Sequence, residues 1–132
     1  MLGDKFSNRI HDVDYDLEAA LEYNPNEKNP LTKEEISGEI AVIYGENDEW
    51  SWHWIVVLKD GRFAYISDCD YTGWDWSSSA YWQFANTLQE AINFVPFIEE
   101  YTGRNLREQL ANQINGVQPF GTYKKTNCKK ED

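Results

Sequence analysis

Residues 67–76 read S-D-C-D-Y-T-G-W-D-W, which places three carboxylates (Asp68, Asp70, Asp75), the Cys69 thiol, Gly73 and three aromatic rings within ten positions. Side chains of these types at this spacing suit three chemistries. Paired aspartates two residues apart can act as nucleophile and general acid in acyl-phosphate chemistry. The same oxygens can ligate a hard divalent cation. A thiol can attack as a thiolate when a histidine lies within reach as its base, and His53 is the one histidine in the neighbouring apolar stretch. That stretch pairs His53 with Asp68, and Cys69, one residue on, then points to the opposite face. A Cys-His pair is therefore geometrically poor, and His53 is expected to be a hydrogen-bonded, half-buried polar residue.

A hydrophobic strand followed by D-x-D-x-T resembles the first motif of haloacid-dehalogenase-type phosphotransferases, which implies Asp68 as nucleophile and Asp70 as general acid. That family needs a parallel sheet with helical crossovers, whereas the strand here closes an antiparallel hairpin. The run D-C-D-Y-T-G-W-D-W-S-S-S also resembles an EF-hand loop at its first, third and sixth positions. Ser79 stands where the bidentate glutamate belongs, however, and a strand precedes the loop in place of a helix. The D-x-D-Y-T-G-W-D stretch resembles one found in small uncharacterised bacterial and phage proteins, where it lies between a sheet and a helix and implies no activity. The expectation for Asp68, Asp70, Gly73, Trp74 and Asp75 is accordingly structural: aspartates capping turn N–H groups, glycine at positive φ and tryptophans packing over the sheet edge. No catalytic residue, metal or cofactor is assigned. Two cysteines build neither a disulfide framework nor, with two histidines at these spacings, a zinc site.

The elements around the loop follow from periodicity. Asp12–Tyr23 carries Val13, Leu17, Ala20 and Leu21 at helical spacing, with Asp14, Glu18 and Glu22 in a row beside that stripe. After a loop punctuated by Pro25 and Pro30, Thr32 and Glu35 fit a capping box. A strand E-I-A-V-I-Y begins after Gly38. Glu49–Lys59 and Arg62–Ser67 form a hairpin, with Asp60-Gly61 read as its two central turn residues. That register puts Trp50, Trp52, Trp54, Phe63 and Tyr65 on one face, with helices over one side of the sheet and aromatics available on the other. Thr87–Val95 and Asn105–Ile114 read as helices, the first with its own capping box at Thr87 and Glu90, and a further helical stretch between them runs to Tyr101. The fold expected is α+β: an N-terminal helix, a three-stranded antiparallel sheet and two or three C-terminal helices. Residues 1–120 make one domain and 121–132 a flexible tail.

Charge is the most informative bulk property. The chain of 132 residues carries 23 acidic and 12 basic residues, a net of −11. Residues 1–49 hold 13 acids and 4 bases (net −9), residues 50–85 hold 4 and 2 (net −2), and residues 86–132 hold 6 and 6 (net 0). A field of that sign repels nucleic acid and membranes and attracts basic protein surfaces. The chain begins without a basic segment leading into an apolar one, so a cytoplasmic location is expected. The resulting expectation is a small acidic inhibitor that occludes a basic nucleic-acid-binding surface. Its contacts are expected from Asp14, Glu18 and Glu22 on the first helix, from Glu46, Asp48 and Glu49 at the following turn, and from Trp50 and Trp52 as anchors. In composition and architecture the chain resembles small acidic phage proteins of the anti-CRISPR and anti-restriction kind, which implies a host defence nuclease as partner. An immunity protein against a nuclease toxin would show the same physics. A small metal- or ligand-binding enzyme built on Asp68–Asp75 is the alternative of a different class.

Because affinity for phosphates comes from Lys and Arg that displace counterions, the protein is expected not to retain duplex or single-stranded nucleic acid at physiological salt. Salt-sensitive retention in a mobility-shift assay would contradict this and give a role to Lys124, Lys125, Lys129 and Lys130.

Overall fold

The computed structural model describes residues 10–23, 31–45, 51–68, 80–99 and 103–119. At its centre lies the hairpin of strands β2 (Trp52–Leu58) and β3 (Phe63–Asp68). Its connection has three residues, one more than expected. Leu58 N–H donates to Arg62 O at 2.8 Å, and Gly61 N–H returns to Leu58 O at 3.0 Å. Gly61 sits at φ 94°, the left-handed conformation that a glycine takes without steric cost at the end of a three-residue loop. Asp60 steadies the turn by accepting from Arg62 N–H and Nε–H, each at 2.9 Å.

That extra loop residue shifts the register by one. Val57 faces Phe63, Ile55 faces Tyr65, Trp54 faces Ile66, His53 faces Ser67 and Trp52 faces Asp68. Because side chains alternate along a strand, the shift moves every β3 side chain to the opposite face from the one expected. Phe63 and Tyr65 leave the tryptophan face and join His53, Ile55 and Val57. Ala64 and Ile66 join Trp52, Trp54 and Val56 in their place. The bulk of the aromatics is thereby divided between two cores, which the predicted register would have crowded onto one side.

Among the described residues the sheet has four strands, not three, in the order β1-β2-β3-β4, with β1 spanning Ile36–Ile43 and β4 spanning Tyr81–Ala85, all antiparallel. Strand β4, Y-W-Q-F-A, sends Trp82 and Phe84 to the tryptophan face and sets Tyr81, Gln83 and Ala85 opposite Ser67, Tyr65 and Phe63. Its aromatic alternation is a strand signature that the sequence reading passed over as loop.

Among the described residues helices cover both faces, so the open aromatic face expected from sequence is replaced by a second core. Helix α1 (Tyr15–Tyr23) lays Leu17, Ala20 and Leu21 over Trp52, Trp54, Val56, Ile66 and Trp82. On the other side, α2 (Leu88–Asn93) and α3 (Leu106–Ala111) contribute Ala91, Ile92, Leu106, Leu110 and Ala111 to a core with Ile43, Ile55, Val57, Phe63 and Tyr65. The Thr87 cap forms as the sequence implied, although Glu90 Oε1 accepts from Asn86 N–H in place of Thr87 N–H, and the cap at Asn105 was not anticipated. Thr87 Oγ1 accepts from Glu90 N–H at 3.0 Å and Asn105 Oδ1 accepts from Glu108 N–H at 3.0 Å. A 3-10 turn, Lys33–Glu35, follows Thr32, whose N–H donates to Glu35 Oε1 at 3.1 Å. No helix forms over 96–99, contrary to expectation. Pro96 O and Phe97 O instead accept from Arg107 N–H and Leu106 N–H, and Ile98 bridges to Asn105. Buried Arg107 donates to Val95 O at 2.7 Å and Asn93 O at 2.9 Å, answering carbonyls that the end of α2 leaves without helical partners.

Strand β1 is an edge strand, and the chain ahead of α1 lies along it. His11 N–H donates to Glu39 O at 2.8 Å and Glu39 N–H donates to His11 O at 2.7 Å. This approach is possible because residue 38 is glycine: a Cβ there would stand 2.4 Å from Ile10 Cγ2 and 2.7 Å from His11 O. Gly38→Ala should therefore lower stability by about 1–3 kcal/mol in urea unfolding, the range for overpacking a close contact. An unchanged urea midpoint would mean that the 10–12 segment yields without cost.

Candidate functional site

Two polar constellations are built on the sheet, one on each face. The first joins α1 to the tryptophan face. Asp14 stands just before α1, and its Oδ1 accepts from Leu17 N–H at 2.7 Å, capping the helix. Its Oδ2 accepts from Tyr44 O–H at 3.0 Å and from Trp54 Nε1–H at 3.3 Å. Asp16 Oδ2 accepts from Trp52 Nε1–H at 3.0 Å. Two buried indoles thus each find a carboxylate at the acidic start of one helix, where the helix dipole also favours negative charge. Glu39, on β1, is 3% exposed and accepts Asp14 N–H through Oε2 at 2.8 Å. Burial pushes its carboxyl up to about 8, with the charges of Asp14 and Asp16 acting in the same direction and the Asp14 N–H bond opposing. Tyr44 is pushed up to about 12, by partial burial first and then by Asp14.

Around this cluster the surface is aromatic and acidic. Tyr15 is 73% exposed and Tyr44 52%, with Ile10 at 47%. Glu22 is exposed, and Glu18 is half-exposed beside Lys33 Nζ at 3.1 Å. A solvent-accessible pair of that kind contributes little to stability.

Of the residues expected at a partner contact, Glu18 and Glu22 do lie outward on α1. Asp14 does not share their surface, because the indole of Trp54 and the hydroxyl of Tyr44 draw its carboxylate inward. Trp52 is 5% exposed and so forms part of the core, not a surface anchor. Glu46, Asp48, Glu49 and Trp50 lie outside the described residues, as do Asp70, Gly73, Trp74 and Asp75 of the 67–76 stretch. Asp68, the last residue of β3, is fully buried opposite Trp52. Its expected pairing with His53 is replaced by the register shift described above.

The second constellation lies under α2 and α3. Tyr65, His53, Ser51, Glu99 and Arg104 form a chain of hydrogen bonds: His53 Nδ1 to Tyr65 Oη at 2.8 Å, His53 Nε2 to Ser51 Oγ at 2.6 Å, Ser51 Oγ to Glu99 Oε2 at 2.5 Å and Arg104 Nε to Glu99 Oε1 at 2.6 Å. The protons can be placed by elimination. The Glu99 carboxylate only accepts, so Ser51 O–H donates to it. Ser51 Oγ must then accept from His53, which puts the imidazole proton on Nε2 and leaves Nδ1 to accept from Tyr65 O–H. A serine activated as a nucleophile would donate to its histidine. Here the polarity is reversed. Burial holds His53 down at about 3, and Arg104 adds to that shift while Glu99 opposes it. Arg104 also donates to Tyr44 O at 3.2 Å and Ser51 O at 3.0 Å, the two described ends of the β1–β2 connection.

Sequence reasoning singled out His53 in this chain but not Ser51, Tyr65, Glu99 or Arg104. The available signal was a histidine in an otherwise apolar strand, which requires internal partners on both ring nitrogens. Among the described residues no group of three His, Cys, Asp or Glu side chains is disposed to hold a metal ion, and no helix is long and apolar enough to cross a membrane. The fold and sites define an α+β protein with a four-stranded antiparallel sheet covered by helices on both faces. Comparison with known protein families, curated proteins and solved structures finds no match to this chain.

The position of His53 makes a pH prediction. Its folded value lies below the ordinary 6.5, so its contribution to stability is complete above that pH and is lost as pH falls from 6.5 towards 3, by up to about 1.4 kcal/mol per pH unit. His53→Gln keeps a donor and an acceptor but does not titrate, and should flatten this limb in urea unfolding at pH 4 to 6.5. Parallel acid limbs in both proteins would assign the loss to other groups.

Proposed function

We propose that the protein is a non-catalytic binding protein that docks on a basic protein surface and occludes it, with nucleic-acid-binding proteins and nucleases as the partner class. The observation that carries this reading is the placement of two exposed tyrosines, Tyr15 and Tyr44, at the acidic start of α1, with the Tyr44 hydroxyl held by Asp14 at 3.0 Å. Tyrosine is enriched among residues that dominate binding energy, and a ring already held in place loses less entropy on docking. The net charge of −9 in residues 1–49 supplies the long-range field that steers a basic partner to that patch. The anchors expected from sequence were tryptophans. The exposed tyrosines take that role here, because the described tryptophan of that pair, Trp52, is committed to the core. The same physics serves an inhibitor of a defence nuclease and an immunity protein against a toxin, and the identity of the partner separates the two.

The test begins with affinity capture of a partner and continues with binding kinetics at low and high salt. Reversing Glu18 and Glu22 to Lys should slow association by about tenfold and change dissociation little, since rim charges act mainly on encounter. Tyr15→Ala should instead raise the dissociation rate and cost on the order of 2 kcal/mol. Association that ignores both salt and the reversals would overturn the reading.

A further inference from the structure

We propose that Glu39 is a pH-sensitive latch: with its carboxyl protonated it holds the segment from Ile10 to Asp14 against the edge of β1, and loss of that proton releases the segment and uncovers the edge.

Glu39 holds the segment at three points. Its backbone N–H and C=O are both bonded to His11, at 2.7 and 2.8 Å, and its side-chain Oε2 accepts from Asp14 N–H at 2.8 Å. The glycine before it permits Ile10 and His11 to lie directly on the strand. Strand β1 is the first in the sheet order, so among the described residues this segment is what covers its outer side. Uncovered, the strand would present backbone donors and acceptors that no neighbour satisfies.

The surroundings of the carboxyl make its proton decisive. From the α1 side it faces the carboxylates of Asp14 and Asp16, and from just beyond its own strand the Tyr44 hydroxyl. From β2 come the indole N–H groups of Trp52 and Trp54, but these are bonded to Asp16 and Asp14, so they favour the charge of those residues over that of Glu39. Among the described residues no basic side chain is ion-paired with Glu39. The His11 side chain is exposed. An ionised Glu39 is therefore a buried charge beside two like charges, and the Ile10 to Asp14 segment carries the nearer of them, Asp14. Moving the segment away separates Asp14 from Glu39 and rehydrates both.

The sign follows from the raised pKa of an acid. The closed state binds the proton more tightly than the open one, so closure is complete below the ordinary carboxyl value of 4.5 and weakens as pH rises from there to about 8. This holds whether or not the surface binds a partner. Amide hydrogen exchange by NMR on the full chain tests it, with rates corrected for base catalysis. Protection of the His11, Asp14 and Glu39 amides should fall by about tenfold per pH unit over that range and then level off, while the Ile66 amide in β3 stays protected. In Glu39→Gln, which keeps an acceptor for Asp14 N–H, protection of the His11 and Asp14 amides should be independent of pH. A flat profile in the unsubstituted protein, or a slope that survives in Glu39→Gln, would overturn the latch. If Glu39→Gln does not fold, a carboxyl carbon-13 titration decides. A Glu39 midpoint well above the ordinary range, brought down by Asp14→Asn, supports the latch, and a midpoint near 4.5 overturns it.

Discussion

Strand β2 is buried on both faces along its whole length, and most of the molecule answers that constraint. A strand in this position leaves no polar atom to water, so each must find an internal partner. Trp52 and Trp54 find carboxylates at the start of α1, and His53 finds Ser51 and Tyr65. These partners place the neighbouring elements as well. The helix that supplies Asp14 and Asp16 lies over the tryptophans, and the loops that supply Glu99 and Arg104 close the far end of the opposite core.

The constraint also explains why the acidic segment is not uniformly a surface feature. Asp14 and Asp16 are spent on indoles, while Glu18 and Glu22, one and two turns further along α1, face outward. Glu39, on the strand beneath, has a carboxylate-rich neighbourhood without a cation and is held mainly as the neutral acid. The carboxylates gathered here are therefore under different demands: Asp14 and Asp16 accept from buried indoles, while burial raises the carboxyl of Glu39. Their proximity couples them, so altering Asp14 also changes the charge that Glu39 experiences.

Much of the scaffold was legible in the sequence because local chemistry announces it. Asp60-Gly61 marked the hairpin, Thr87 and Glu90 marked a helix start, and Leu17, Ala20 and Leu21 marked a buried stripe. The register was not legible, because an Asp-Gly pair serves both a two-residue turn and the end of a three-residue one. What separates them is how aromatic volume divides between the two cores, a property of the assembled sheet. Strand β4 was missed for a related reason, being short and centred on Gln83. At the candidate site, spacing grouped Asp14 with Glu18 and Glu22 on one helical row. The hydrogen bond from Trp54, forty residues away, removed Asp14 from that row. Ser51, Glu99 and Arg104 are likewise brought together by topology alone.

Arg104 carries a consequence for how this chain can vary. With one guanidinium it grips the carbonyl oxygens of Tyr44 and Ser51, on either side of the β1–β2 connection, while Glu99 braces it from behind. The ends of that connection are thus cinched together by a residue outside it. Variation at residue 104 is therefore felt at two strand ends at once, in the way a cut drawstring opens the whole mouth of a purse.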